Sequence, residues 1–356
     1  MSRFFSQRHS SLKAYVPGEQ PKDQQYIKLN TNDSPYPPSQ GVLLAAQEEA
    51  GRLQLYSDPE CRDLNRTAAA FFGVSTDMIL MTNGSDEILN FAFAAFGDEE
   101  NPFAFPSLTY GCYPVFGQIN SIPCKTLPLK ADFSIDPEDY VNLGCNIVIA
   151  NPNAPTGLIL TIPQIERIVS TNPDHVVVID EAYIDFGGET ALPLVHKYDN
   201  LLITRTFSKS YSMAGARLGF GIGAPSLIAD LNTIKYSTNP YNVNRMSMAA
   251  GAAALREAEY YMDNCRKIMD CRAETKASLE KLGFTVTESK ANFLFVTHPE
   301  LDGEALYLRL KEMGILIRHF SDPTISAYNR ITIGTPAQMK ALLDAIETIQ
   351  KEGLPK

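Results

Sequence analysis

Histidine is scarce in this chain: there are five among 356 residues, and none of the six cysteines sits in a C-x-x-C pair. Zinc and metal-thiolate sites need Cys and His clustered at short spacing, so those patterns are excluded. Cys61, Cys112, Cys124, Cys145, Cys265 and Cys271 are expected as buried free thiols of a reducing compartment. No apolar run approaches the roughly 20 residues of a bilayer-spanning helix. The opening Met1-Ser2-Arg3-Phe4-Phe5 lacks the apolar core and cleavage site of a secretory signal, so a cytoplasmic setting is expected. Positive charge is also short, with 31 Lys and Arg against 41 Asp and Glu and a net charge of -10. A nucleic-acid binder needs a dense basic surface, which excludes such a partner as the main one. A local pocket for a small anion stays open. No G-x-G-x-x-G opens a helix after a strand, which argues against a dinucleotide-binding dehydrogenase.

The length favours two domains over one core. Residues 1–35 are rich in turns and prolines and read as an arm. Apolar spacing predicts a helix over 42–53, with Val42, Leu43, Ala46, Ala50 and Leu53 on its inner face. From about 75 to 225, short apolar strands alternate with helical stretches, the pattern of an α/β sheet covered on both faces. From about 240 the chain turns Ala-rich and charged, as one long or two consecutive helices. Short strands and helices follow, suggesting a smaller α+β domain. The expected division is an arm at 1–35, a large domain at 36–245 and a small domain at 246–356.

Functional groups of such a sheet lie at the carboxyl ends of its strands. Four segments follow strands directly: Gly84-Ser85-Asp86, Asn153, Asp180 to Tyr183, and Thr206 to Arg217. Each alone has an ordinary reading as a turn, a helix cap or a surface charge. Together they match the needs of pyridoxal phosphate. That cofactor requires an amine for a Schiff base, an anion site, a carboxylate for its ring nitrogen, a donor to its phenolic oxygen and a flat ring contact. Lys209 supplies the amine. Gly84 and Ser85, with Asp86 in the same turn, open a helix whose free N–H groups suit a phosphate. Thr206, Ser208 and Arg217 add hydroxyls and fixed positive charge. Asp180 would hold the ring nitrogen protonated, Tyr183 would donate to the phenolic oxygen, and Tyr110 would stack on the ring.

The ordered set N-G-S-D-E, T-Y-G-C-Y, N-P-N-A-P-T-G, D-E-A-Y and T-F-S-K-S…G-A-R-L-G-F resembles the fold-type-I pyridoxal-phosphate aminotransferases. Within them it is similar to the histidinol-phosphate aminotransferases, and the likeness covers nearly the whole chain. It implies a seven-stranded, mostly parallel sheet in the large domain and a small domain built from both termini. It also implies a homodimer in which Tyr56 reaches the neighbouring subunit's site. Arg330 matches the arginine for the substrate carboxylate, Arg318 a second one suited to a substrate phosphate, and Tyr36 a pocket-lining position. The implied reaction exchanges an amino group between histidinol phosphate and 2-oxoglutarate. One position departs from the pattern: the family asparagine before P-T-G is Ala154 here, and Asn153 is expected to take its role. A threonine-phosphate decarboxylase or an aromatic aminotransferase would share these motifs. A non-catalytic binding protein on the same fold is the remote alternative.

Overall fold

The computed structural model describes residues 2–353, and its centre is a seven-stranded sheet. The first eight strands are β1 (Ile27–Lys28), β2 (Ile79–Thr82), β3 (Phe103–Pro106), β4 (Cys124–Leu127), β5 (Asn146–Ala150), β6 (Val177–Asp180), β7 (Leu201–Thr206) and β8 (Gly219–Gly223). The large sheet runs β2-β8-β7-β6-β5-β3-β4. β8 is antiparallel to both neighbours and the other pairs are parallel. Every residue of β5, β6 and β7 is buried, as two-sided helix cover demands. β4 is the exception: Cys124, Lys125 and Thr126 are exposed at the sheet edge. Cys124 thus departs from the expectation of buried thiols, because an edge strand has only one neighbour to cover it.

The helices are α1 (Gln40–Ala50), α2 (Arg62–Phe72), α3 (Ser85–Phe96), α4 (Tyr113–Asn120), α5 (Ile162–Ser170), α6 (Pro225–Thr238), α7 (Arg245–Arg256), α8 (Ala258–Lys281), α9 (Gly303–Glu312) and α10 (Pro336–Glu352). Alternation along the strands splits the core in two. Ile147, Ile149, Val177 and Ile179 pack with residues of α2, α5 and α7, whereas Val148, Val178 and Leu202 pack with α3, α4 and α6. A Cβ on Gly219 would lie 2.4 Å from the Ser85 nitrogen. Glycine in β8 therefore lets the start of α3 lie directly on the sheet.

Beyond α8 come β9 (Thr285–Val286), β10 (Phe293–Thr297), β11 (Ile315–Leu316), β12 (Arg318–His319) and β13 (Tyr328–Thr332). They form the antiparallel order β12-β13-β10-β9, while β11 pairs in parallel with β1 near the start of the chain. Leu29 shares the core of this second sheet with Leu294, Ile331, Leu342 and Ile346. α7 packs Ala250, Ala254 and Leu255 into the large-sheet core. Early in α8, Tyr261 still belongs to that core, but Cys265 and Ile268 belong to the small one. We propose that the domains divide there, inside α8, rather than at 245/246. The expected outer limits at Met1 and at 354–356 lie outside the described residues.

The helix expected over 42–53 stops at Ala50, and its apolar residues do not all turn inward. Val42 is buried, yet Leu43, Leu44, Leu53, Leu55 and Tyr56 are all exposed.

Candidate active site

The ends of β5, β6 and β7 and the turn from β2 into α3 open onto one cavity of about 510 Å³. That volume suits a cofactor together with a small substrate. Lys209, Asp180, Tyr183, Tyr110, Arg217 and Arg330 all line it. Lys209 follows β7 in a loop bound back on itself, since the Ser208 N–H donates to Thr206 Oγ1 at 3.1 Å and the Met213 N–H to the Phe207 carbonyl at 3.0 Å. Its Nζ donates to the Thr31 carbonyl at 3.2 Å and lies 5.7 Å from the centroid of the Tyr183 ring.

Asp180 ends β6 and is 4% exposed. Its Oδ2 accepts from the Tyr113 hydroxyl at 2.8 Å; its Oδ1 accepts from the Ala182 N–H at 3.2 Å and Thr204 Oγ1 at 3.3 Å. Burial nevertheless pushes its pKa up to about 6, against the pull of those donors. Among the described residues no basic side chain pairs with it.

Gly84 adopts φ +82 ahead of α3, and a Cβ there would lie 2.6 Å from Arg217 Nη2. Only glycine lets that guanidinium close on the helix start. The Gly84 N–H itself is spent on the Thr82 carbonyl. The first free amides of α3 are therefore those from Ser85 onward. Asp86 accepts from the Tyr110 hydroxyl at 2.7 Å and from Arg217 Nη2 at 3.1 Å. Its carboxylate fixes the ring and the guanidinium, and its negative charge would repel a phosphate.

Arg318 and Arg330 stand directly opposite each other across the β12–β13 ladder, and both line the cavity. Like charges so placed are unfavourable. Neither forms an ion pair among the described residues. Among the described residues, Arg318 donates only to the Val16 and Pro17 carbonyls, at 3.2 and 3.3 Å. Arg330 donates to the Asn30 carbonyl at 3.1 Å, and its buried Nε has no partner. Burial lowers the pKa of the Arg330 guanidinium. Guanidinium groups without a carboxylate partner can accept an anionic group in a bidentate manner.

The family model described as "Aminotransferase class I and II" matches residues 24–346. The chain belongs to the class I and II aminotransferases. This aminotransferase is 48% identical over 353 residues to the histidinol-phosphate aminotransferase of Brachyspira hyodysenteriae, spanning 99% of this chain and 100% of that protein. It is 43% identical over 348 residues to the histidinol-phosphate aminotransferase of Clostridium acetobutylicum, with 98% and 99% covered. Its fold superposes with a TM-score of 0.85 on histidinol-phosphate aminotransferase from Sinorhizobium meliloti in complex with pyridoxal-5'-phosphate, at 26% identity and 93% coverage of each chain. The seven-stranded sheet expected from the motifs is present in this aminotransferase.

Four expected site residues do not line the cavity: Gly84, whose place is given above, and Asn153, Tyr36 and Tyr56. Asn153 is buried, but its Oδ1 accepts from Thr109 Oγ1 at 2.7 Å and its Nδ2 donates to the Leu108 carbonyl at 3.0 Å. Its amide holds the neighbouring loop, and Ala154 is the residue that lines the cavity. Tyr36 packs against the small core, with Lys267 Nζ 5.4 Å from its ring centroid. Tyr56 is 81% exposed and stacks on Tyr241 at 4.6 Å. Conversely, Tyr15, Asn30, Thr31, Asn32 and Phe320 line the cavity without having been singled out. The first four lie in turn-rich stretches of the arm that match the family pattern, but no site role was expected of them.

Proposed function

We propose that this aminotransferase uses pyridoxal phosphate to exchange an amino group between histidinol phosphate and 2-oxoglutarate, yielding imidazole-acetol phosphate and glutamate. The observation that carries the proposal is a single cavity holding Lys209, a buried carboxylate without a cation and two arginines without an anion. The residues present fit the cofactor. Asp180 offers its ionised form a stable home only beside a positive group such as a protonated ring nitrogen. Ser85, Ser208 and Arg217 converge at the start of α3, where a phosphate is favoured by the helix dipole. Tyr110, held by Asp86, presents its ring.

When bound, pyridoxal phosphate supplies the electron sink that makes the substrate α-proton acidic. Lys209 Nζ would take up that α-proton and pass it on to the cofactor C4′ rather than back to the same carbon, as amino transfer requires. Asp180 stabilises positive charge at the ring nitrogen. Arg330 orients the substrate carboxylate or its equivalent, and Arg318 takes the phosphate of histidinol phosphate. Both cations serve anionic substrates, consistent with a chain that uses glutamate in one half-reaction and a phosphate ester in the other.

We further propose a cytoplasmic homodimer in which Tyr56 of one protomer completes the site of its partner. Support comes from the exposed apolar residues Leu43, Leu44, Leu53 and Leu55 beside Tyr56. No helix among the described residues is long and apolar enough to cross a membrane.

The test begins with the visible spectrum of the purified protein. A yellow band that borohydride removes, and that Lys209→Ala lacks, supports the cofactor assignment. A colourless protein that never binds added pyridoxal phosphate sinks it. Turnover is then compared for histidinol phosphate, phenylalanine and threonine phosphate. Better turnover of phenylalanine, or loss of carbon dioxide from threonine phosphate, overturns the substrate assignment.

A further inference from the structure

Residues 30–32 touch three groups of the cavity in succession. The Asn30 carbonyl accepts from Arg330, the Thr31 carbonyl accepts from Lys209, and Asn32 Nδ2 donates to the Tyr183 hydroxyl at 2.9 Å. Asn32 is 1% exposed, and its remaining polar atoms are bonded too. Its carbonyl accepts from Asn292 Nδ2 at 3.0 Å, its N–H donates to Thr332 Oγ1 at 3.0 Å, and its Oδ1 accepts from Thr332 Oγ1 at 3.1 Å.

The Thr332 oxygen accepts the Asn32 N–H and gives its one hydrogen to Oδ1. That leaves Nδ2 turned toward Tyr183. A tyrosine hydroxyl has one hydrogen and can accept at its oxygen. With Asn32 donating to that oxygen, the Tyr183 hydrogen is left for the cavity. Neither Ala154 nor Asn153 offers a second side-chain donor there, because alanine has none and the Asn153 amide is tied back to Leu108 and Thr109.

We propose that Asn32 is a positioning residue that turns the Tyr183 hydroxyl hydrogen toward the phenolic oxygen of the bound cofactor. The proposal rests on the pyridoxal phosphate reading above. Lys209 and Arg330 are the charged groups that face Tyr183, and Tyr15 and Tyr113 are its titratable neighbours. All four are left intact by the test.

Asn32 sits at φ +56, so glycine deletes its side chain without backbone strain, whereas alanine would add some. The readout is the pH titration of the visible band of the cofactor-loaded protein, without substrate. A weaker donor at the ionised phenolic oxygen moves the midpoint upward, by about 1 pH unit for Asn32→Gly. The same substitution made in a Tyr183→Phe background should move it by less than about 0.2 unit, because the only route is through that hydroxyl. Thr332→Val, which frees the Asn32 amide to turn, should give a smaller upward shift that Tyr183→Phe also abolishes. It stands in if Asn32→Gly does not fold. An unchanged midpoint, or an equal shift in both backgrounds, overturns the role and leaves Asn32 as scaffold. A wild-type protein with no titrating band overturns the cofactor reading itself, and this role with it.

Discussion

Asp180→Asn should make the cofactor-free protein more stable while disabling the enzyme. The native carboxylate is buried without a cation, and its pKa stands near 6 against an ordinary 3.8. The folded state therefore binds the proton more tightly than the unfolded state. Between those two values the unfolded chain carries fewer protons, so stability falls as pH rises from about 4 to about 6, then stays low. The gap corresponds to about 3 kcal/mol at neutral pH and above. Asparagine keeps the shape and still accepts from Thr204 and the Ala182 N–H, while the Tyr113 hydroxyl can rotate to accept from the new amide. The penalty is removed, so the stripped Asp180→Asn protein should melt about 4 °C higher than wild type at pH 8 and about level with it at pH 4. With pyridoxal phosphate restored, kcat/KM should fall roughly 10²–10³-fold or more, because a preorganised charge at the ring is gone. Differential scanning calorimetry of stripped proteins at both pH values, beside steady-state kinetics, measures the two effects. A stripped variant that is no more stable at pH 8, or whose gain is equal at pH 4, refutes the account of Asp180 as an uncompensated charge.

Other expectations can be measured alongside. Arg318→Ala should raise KM for histidinol phosphate by about 10-fold or more and change KM for glutamate little; equal effects would refute a phosphate-specific role. Gly84→Ala should weaken pyridoxal phosphate binding at least about 10-fold, since its Cβ needs the space of Arg217 Nη2 in a backbone region that suits glycine; unchanged affinity by titration would refute the close approach. If the active site is shared, mixing inactive Tyr56→Ala and Lys209→Ala proteins should restore about a quarter of wild-type activity, because half the random dimers then hold one intact site. Strictly additive activities at every mixing ratio would argue for self-contained protomers.

The grouping of these residues around one cavity was legible because each follows a buried strand, and strands of the form Val176-Val177-Val178-Ile179 announce themselves. Lys209, Asp180, Tyr183 and Arg217 could be placed together beyond the carboxyl ends of the strands from the sequence alone. What spacing could not reveal was which hydrogen-bonding atoms were already spent. The Gly84 N–H closes its own turn and Asn153 holds Thr109, so two expected contacts belong to scaffold. The outward turn of Leu43 and Leu44 was equally hidden, since helical periodicity marks a face without saying whether it meets a core or another molecule. Residues 30–32 escaped for a different reason. An Asn- and Pro-rich segment reads as a loop at any location, and its position depends on a pairing with strands some 300 residues away.

That distance has a consequence for how the protein comes into being. The Leu29 carbonyl accepts the Thr332 N–H, and Asn32 is clasped by Asn292 and Thr332. A chain emerging from the ribosome makes Lys209 and Asp180 long before it makes Thr332. Until the last strand arrives, the beginning of the chain has nothing to close on, and Lys209, Tyr183 and Arg330 lack their contacts from residues 30–32. Contacts of such long sequence separation form late in folding. Acquisition of full activity should therefore lag behind formation of the large sheet, and nascent chains ending before β13 should carry Lys209 without Arg330 or the clasp on Asn32.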